Sequence, residues 1–335
     1  MISKQVNVKL IFTGLILALA VVVIGSLAFG YSKSSLWDVI EVLIGRANSG
    51  TVLIITRIRL PRILACLLGG ASLALAGLLL QTLTRNPLAD SGILGINAGA
   101  GMVIACVISY WSVESRSVIL ALPFFAMLGG ILTIMVVYLI ARKKNHGISP
   151  IRLIITGVGI SSMLSGTMVS IVGNIDRYRV DYIVSWLSGK VSGDDWTTLT
   201  MIAPLLIILW GLAYSRSRSL NIMNLNEQTA LALGLQLQKE RLITLSLATA
   251  LAAISVVLVG NITFVGLVTG HIARKWLGGD HRLTMPASMI LGMVLLLIAD
   301  TIGRVLLVGT GIPTGLIVSC IGAPYFLYLM SRVAQ

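Results

Sequence analysis

The side chains of this chain that could do chemistry are few and far apart. Arg57, Arg59 and Arg62 crowd the segment Arg57-Ile58-Arg59-Leu60-Pro61-Arg62, just ahead of a long apolar run. Pro61 suits a first helical turn, where its missing N–H costs nothing. Three cations at a helix N-terminus, however, oppose the helix dipole. Local stability therefore does not account for them: either they await acidic partners, or their long side chains anchor to lipid phosphates. Asp300 is the one acid within an apolar run. An intramembrane carboxylate can relay a proton or a sodium ion, but Arg304 lies one turn further on the same helix face. A structural ion pair is the simpler use.

Other chemistries lack their spacing. Gly189-Lys190 is followed by Val191 and has no upstream glycine of the kind that cradles phosphate, so the chain carries no ATP-hydrolysing loop of that type. There is no His-Glu-x-x-His pair and no Gly-x-Ser-x-Gly elbow, and His146, His271 and His281 are distant in sequence. Cys66, Cys106 and Cys320 stand apart in apolar stretches, with neither disulfide nor zinc spacing. No catalytic residue, resident cofactor or metal ligand set is expected.

The elements that must position these residues follow from composition. The 335 residues are 56% hydrophobic and 11% charged, against roughly 25% charged in soluble domains. This is the composition of an all-α polytopic membrane protein. At about 20 apolar residues per crossing, spans fall near 10–30, 60–82, 92–111, 118–140, 151–172, 197–214, 242–260, 262–278, 284–305 and 312–331. Ten spans leave no room for a large soluble head, so residues 1–335 read as a single transmembrane domain. The first run, Leu10 to Phe29, is longer than a signal-peptide core and reads as an uncleaved helix. The net charge of +13 is spread along the chain, which argues for membrane orientation and against nucleic acid. An even number of spans puts both termini on one side, and the excess of Lys and Arg makes that side the cytoplasm.

Three segments differ from plain spans. The fifth carries Ser161, Ser162, Ser165, Gly166 and Thr167 among other small residues, which either let helices approach closely or line a wet path. The eighth is short and broken by Gly266 and Gly270, as in partial helices that face a cavity, or is a plain short helix. The polar loop 215–240 contains Asn224 and, three residues on, Glu227, a capping-box arrangement. Gly234 can supply the left-handed stop. A short cytoplasmic helix over about 225–233 would offer Leu225, Leu231 and Leu233 to a groove, to the bilayer or to its own protein.

These segments, in this order, resemble the FecCD family of bacterial ABC-transporter permeases, which import iron–siderophore complexes, haem and vitamin B12. The matching motifs are Arg59-Leu60-Pro61-Arg62; Gln81 with Arg85-Asn86-Pro87-Leu88-Ala89-Asp90 and Leu94-Gly95; Trp186-Leu187-Ser188-Gly189; Leu225 to Gly234; Phe264-Val265-Gly266-Leu267-Val268 with His271-Ile272-Ala273-Arg274; and Ile321-Gly322-Ala323-Pro324-Tyr325-Phe326-Leu327. The resemblance implies a type II importer permease of the BtuC-like fold in the bacterial inner membrane. It further implies a second permease subunit, identical or related, two ATPases that bind the ATP, and an extracytoplasmic substrate-binding protein. An iron(III)–siderophore is the expected cargo, with haem or cobalamin as alternatives. Arg59, Arg62 and Arg304 then match positions that dock the binding protein. Leu225, Asn226, Glu227, Ala230, Leu233 and Gly234 match the coupling helix that enters the ATPase, and the fifth span matches the helix that lines the path. The chain departs from the family pattern at Ser91, Gly270, Asn226 and Gly311. An ion-coupled secondary transporter working through Asp300 is the alternative from another class.

Overall fold

A computed structural model describes residues 7–29, 36–111, 116–143, 147–191, 195–306 and 312–333. The chain runs through α1 (Val8–Ala28), α2 (Leu36–Ile44), α3 (Ser49–Leu53) and a six-residue π turn, Ile54–Arg59, that leads without a break into α4 (Leu60–Thr84). Then follow α5 (Ile96–Tyr110), α6 (Arg116–Ala141), α7 (Pro150–Val172), α8 (Arg177–Leu187), α9 (Trp196–Ser215), α10 (Ser217–Met223) and α11 (Glu227–Ala232). The remaining helices are α12 (Leu237–Val259), α13 (Val265–Leu277), α14 (His281–Leu306) and α15 (Thr314–Val333). A two-residue antiparallel pair joins Arg142–Lys143 to Gly147–Ile148, with Arg142 opposite Ile148.

Among the described residues, 8 helices are long and apolar enough to cross a membrane. The third expected span is instead α5, of 15 residues, and the eighth, expected to be short, is α13, whose 13 residues run unbroken through Gly266 and Gly270; both are shorter than a full crossing needs. The reason is local. Before α5 the chain turns at Gly95 (φ +85°), and before α13 it turns at Phe264 (φ +68°). The two turns are tied together, Phe264 N–H donating to Asp90 Oδ2 at 3.1 Å. Irregular backbone of this kind survives beside a bilayer only when it is enclosed by protein. His146 and Gly311 lie outside the described residues, as does the start of the chain up to residue 6.

The core is built around α4, whose residues from Gly69 to Thr84 are all buried. It packs against α12, α13 and α14. Small residues permit the close approach on which helix association in lipid relies: a Cβ on Gly77 would sit 2.4 Å from the Gly266 Cα, and one on Gly70 would sit 2.4 Å from the Gly292 carbonyl oxygen. By contrast α7 buries only Leu153 and Gly157, leaving most of its length on the outside of the chain. The Trp186-Leu187-Ser188-Gly189 motif closes α8 and is another close-approach element. Gly189 (φ +78°) accepts from Gly315 N at 3.0 Å, and a Cβ there would meet the Gly315 Cα at 2.8 Å.

Candidate functional site

At the N-terminal end of α4, Asp300 of α14 gathers the cations. Arg62 places Nε 3.1 Å and Nη2 3.0 Å from Asp300 Oδ1. Arg304 brings its Nε to 2.9 Å from Oδ2, and Thr314 of α15 donates to Oδ1 at 3.1 Å. The carboxylate is fully buried, while the Arg62 and Arg304 side chains keep 22% and 15% exposure. Arg304 also donates to Ser26 of α1 at 2.6 Å. Arg59 is 3% exposed and donates to the Leu27 carbonyl, whereas Arg57 is exposed. The structure therefore brings Arg59, Arg62 and Arg304 to one end of the bundle and seats Arg59 beneath the surface. Sequence spacing pointed to the Asp300–Arg304 pair; the Arg62–Asp300 contact, 238 residues apart in the chain, had no sequence signal.

At the other end of α4 the polar loop folds as two short helices. Asn226, not Asn224, is the N-cap: its Oδ1 accepts from Thr229 N at 2.7 Å. The helix accordingly spans Glu227–Ala232, rather than 225–233. Asn224 instead follows the last turn of α10. The Glu227 carboxylate is engaged by Arg241 of α12 rather than reaching back to an amide, because the neighbouring guanidinium offers a stronger, charge-assisted partner. The stop is as the sequence suggested: Gly234 has φ +79°, with Gly234 N on Leu231 O at 2.9 Å and Leu235 N on Ala230 O at 3.1 Å. These two bonds form a Schellman closure. Leu225, Leu231 and Leu233 are exposed and Ala230 is buried, so the helix shows an apolar edge outward and rests on the bundle through Ala230.

Polar contacts bind this loop to the core. Arg85, in the left-handed region at φ 52°, donates to the carbonyls of Met223 at 3.2 Å and Leu225 at 2.6 Å. Asn221 of α10 accepts from His281 N at 2.8 Å and lies 2.7 Å from its Nδ1, while His281 Nε2 is 2.7 Å from Thr82 Oγ1 of α4. Asn221 also donates to Asp280 Oδ1 at 2.7 Å, and that bond, with the Arg282 N–H, holds the Asp280 carboxyl below the usual carboxylate range. Asn221 had no distinguishing sequence signal among the loop's asparagines.

A third feature is a cleft of about 460 Å³ between the turn before α5, α7 and the turn before α13. Ser161 and Ser165 line it together with Asp90, Asn97, Asn261 and Thr263. Ser162, Gly166 and Thr167 are exposed on α7 and do not line it. Asn97 and Asn261 were not singled out in the sequence, although amides in apolar runs are a readable signal.

A bundle with long apolar helices, two short ones that start at tied turns, and a cleft with a few polar side chains on a largely apolar wall is the build of a multi-pass membrane transport protein. Residues 17–332 match the FecCD transport family, and the chain belongs to it. It is 36% identical to the iron(3+)-hydroxamate import system permease protein FhuG of Bacillus subtilis, over 94% of this chain and 95% of that one. It is also 36% identical to the ferric enterobactin transport system permease protein FepD of Escherichia coli (98% and 97%), and 35% to the Fe(3+)-citrate import system permease protein YfmE of B. subtilis (97% and 95%). Among solved structures it resembles an inward-facing conformation of a metal-chelate type ABC transporter, with a TM-score of 0.81, 28% identity, and coverage of 97% of this chain and 100% of that one.

Proposed function

We propose that this chain is the permease subunit of an ABC importer that moves an iron(III)–siderophore complex across a bacterial cytoplasmic membrane. The observation that carries the reading is the placement of two unlike clusters at opposite ends of α4. That helix has 25 residues, about 37 Å at helical rise, or a little more than the hydrocarbon thickness of about 30 Å. At one end Arg59, Arg62 and Arg304 offer net positive charge to the acidic lobes of a substrate-binding protein. At the other, α11 with Leu225, Asn226, Glu227, Leu233 and Gly234 offers a capped helix with an apolar edge to a groove on an ATPase. In this reading two ATPase subunits bind and hydrolyse the ATP, the chain holds no cofactor and no ATPase site of its own, and a second permease, identical or related, completes the path. Both termini are cytoplasmic, and residues 1–335 act as one transmembrane domain with 215–240 as its coupling loop. Three relatives named for ferric chelates support iron over haem or cobalamin. The ion-coupled alternative loses its motive, since Asp300 is enclosed by Arg62, Arg304 and Thr314.

The test is reconstitution in proteoliposomes with candidate ATPase and binding protein. Ferric-chelate uptake should need ATP and both partners, and binding-protein affinity should weaken with salt. The variant Arg59→Gln with Arg304→Gln, which removes charge without setting a second carboxylate against Asp300, should lower that affinity at least about tenfold while the ATPase still co-purifies. Uptake by the chain alone, without ATP, would sink the proposal.

A further inference from the structure

A groove of about 300 Å³ runs between α6 and α12, two helices long and apolar enough to cross a membrane. Its wall is apolar apart from Tyr138, Ser246 and Thr249. Ile131 and Met135 of α6 and Leu242 of α12 line it and are exposed, so in a membrane this wall meets lipid. The groove extends from Leu242 to Ala250 on α12 and from Tyr138 back to Ile131 on α6, about 10–12 Å at helical rise. That is close to the hydrocarbon depth of one leaflet, about 15 Å. Tyr138, 3 residues before the end of α6 at Ala141, marks the shallow end, where membrane interfaces favour an apolar ring with a polar tip. Beyond it stand two cations. Lys239 precedes Leu242 by 3 residues and Ser246 by 7, which puts it on the groove face of α12. Arg142 follows α6 directly, and the strand Gly147–Ile148 that pairs with it packs on α12. Both cations are exposed. The acids next to Lys239 in sequence, Glu240 and Glu227, are taken by Arg216 and Arg241.

We propose that this groove binds one anionic phospholipid from the leaflet at the α11 end, with an acyl chain along α6 and α12, the ester region at Tyr138 and the phosphate held by Arg142 and Lys239. Apolar wall, tyrosine and cations follow one another in the order of tail, ester and phosphate. A helix of a second copy would cover the wall and leave the cations unanswered, and a free phosphate would leave the wall bare. Basic side chains at this depth attract anionic headgroups, and their long stems reach past the apolar edge to do so. The site stands at the foot of α12, where Glu240 and Arg241 hold Arg216 and the Glu227 of α11, so the lipid steadies the helix against which α11 is anchored. The inference rests on the spanning fold and not on the importer reading.

The experiment uses the full chain in detergent, titrated with dioleoyl phosphatidylglycerol or dioleoyl phosphatidylcholine, with bound lipid counted by native mass spectrometry. Phosphatidylglycerol should be retained at least about fivefold more tightly than phosphatidylcholine. Arg142→Gln with Lys239→Gln should weaken phosphatidylglycerol at least about tenfold. Arg218→Gln with Lys275→Gln, which removes two exposed cations away from the groove, should stay within about twofold. Ser246→Trp fills the groove from an exposed position, so folding is not at risk, and should weaken phosphatidylglycerol about as much as the loss of both groove cations. Equal retention of the two lipids, equal losses from the two pairs of cations, or unchanged binding in Ser246→Trp overturns the proposal. Ser246→Trp that dissociates dimers of the chain while lipid binding persists assigns the groove to a second copy and overturns it as well. Displacement of the lipid by glycerol 3-phosphate from the unsubstituted chain, with Ser246→Trp inert, reduces the site to a phosphate pocket, which also refutes a lipid site.

Discussion

Removing the carboxylate of Asp300 separates a structural from a transport role for this buried acid of α14. Both oxygens are occupied: Oδ1 by Arg62 and Thr314, Oδ2 by Arg304 and, at 3.2 Å, by Arg62 Nε. Asp300→Asn therefore has no good rotamer, since either orientation turns its NH2 group onto a guanidinium. Breaking a fully buried ion pair by deleting one partner costs about 3–5 kcal/mol. Here the carboxylate is fully buried but the two guanidiniums keep 22% and 15% exposure, so water recovers part of the loss and about 2–4 kcal/mol is expected. At roughly 2 °C per kcal/mol for a large domain, the thermal midpoint in detergent should fall by about 4–8 °C. Asp300→Leu should do no better, because it strands the same donors. Tryptophan fluorescence or a thiol-reactive melt reads the midpoint, and uptake is measured well below it. An unchanged midpoint with abolished uptake would refute the structural role and revive an ion relay through this side chain.

At the coupling end, Glu227 is the first residue of its helix, where proline is at home. Glu227→Pro should leave the helix formed and cost only the Arg241 pair, whereas Ala230→Pro removes the N–H that bonds Asn226 O at 3.0 Å and should abolish ATPase co-purification. Equal losses from the two variants would mean that the charge pair, not the helix, holds the ATPase. Asn226→Ala deletes the cap and should weaken ATPase binding by about 0.5–2 kcal/mol if helix order limits that binding, which titration of the ATPase in nanodiscs would read. In the core, Gly77→Ala should destabilise by about 1–3 kcal/mol or more through overpacking on Gly266, while Gly211→Ala, with nothing within 4 Å of the added carbon, should melt like the parent.

Much of the fold was readable because apolar run length and charge-bearing loops carry the information in a membrane protein. The positions of α1, α4, α6, α7, α9, α12, α14 and α15 follow from that alone. The shortness of α13 was readable, but that of α5 was not, since residues 92–95 are as apolar as a span and the turn depends on a contact between Asp90 and Phe264. The cap failed by two residues for a related reason. Asn224 and Asn226 are equivalent on paper, and Arg241, which draws Glu227 away, sits 14 residues downstream. Of the site, the cations on one face of a helix were legible, but Arg62 meeting Asp300 and Asn221 meeting His281 are products of tertiary folding.

The contrast between α4 and α7 bears on how such a subunit can move. Close-packed helices that touch backbone to backbone at Gly70, Gly77, Gly266 and Gly292 have no slack to bend, because interiors transmit strain rather than absorb it. Helices α4, α13 and α14 therefore form one close-packed block, which α11 meets mainly through α10 and α12. α7 shares none of that rigidity. It packs instead on α5 and α6 and meets α4 over a shorter stretch, with a Cβ on Gly157 coming within 2.9 Å of the Leu94 Cα in the turn before α5. Movement of the block therefore reaches the serine-rich face of α7 mainly through α5 and α6, the helices on which it packs.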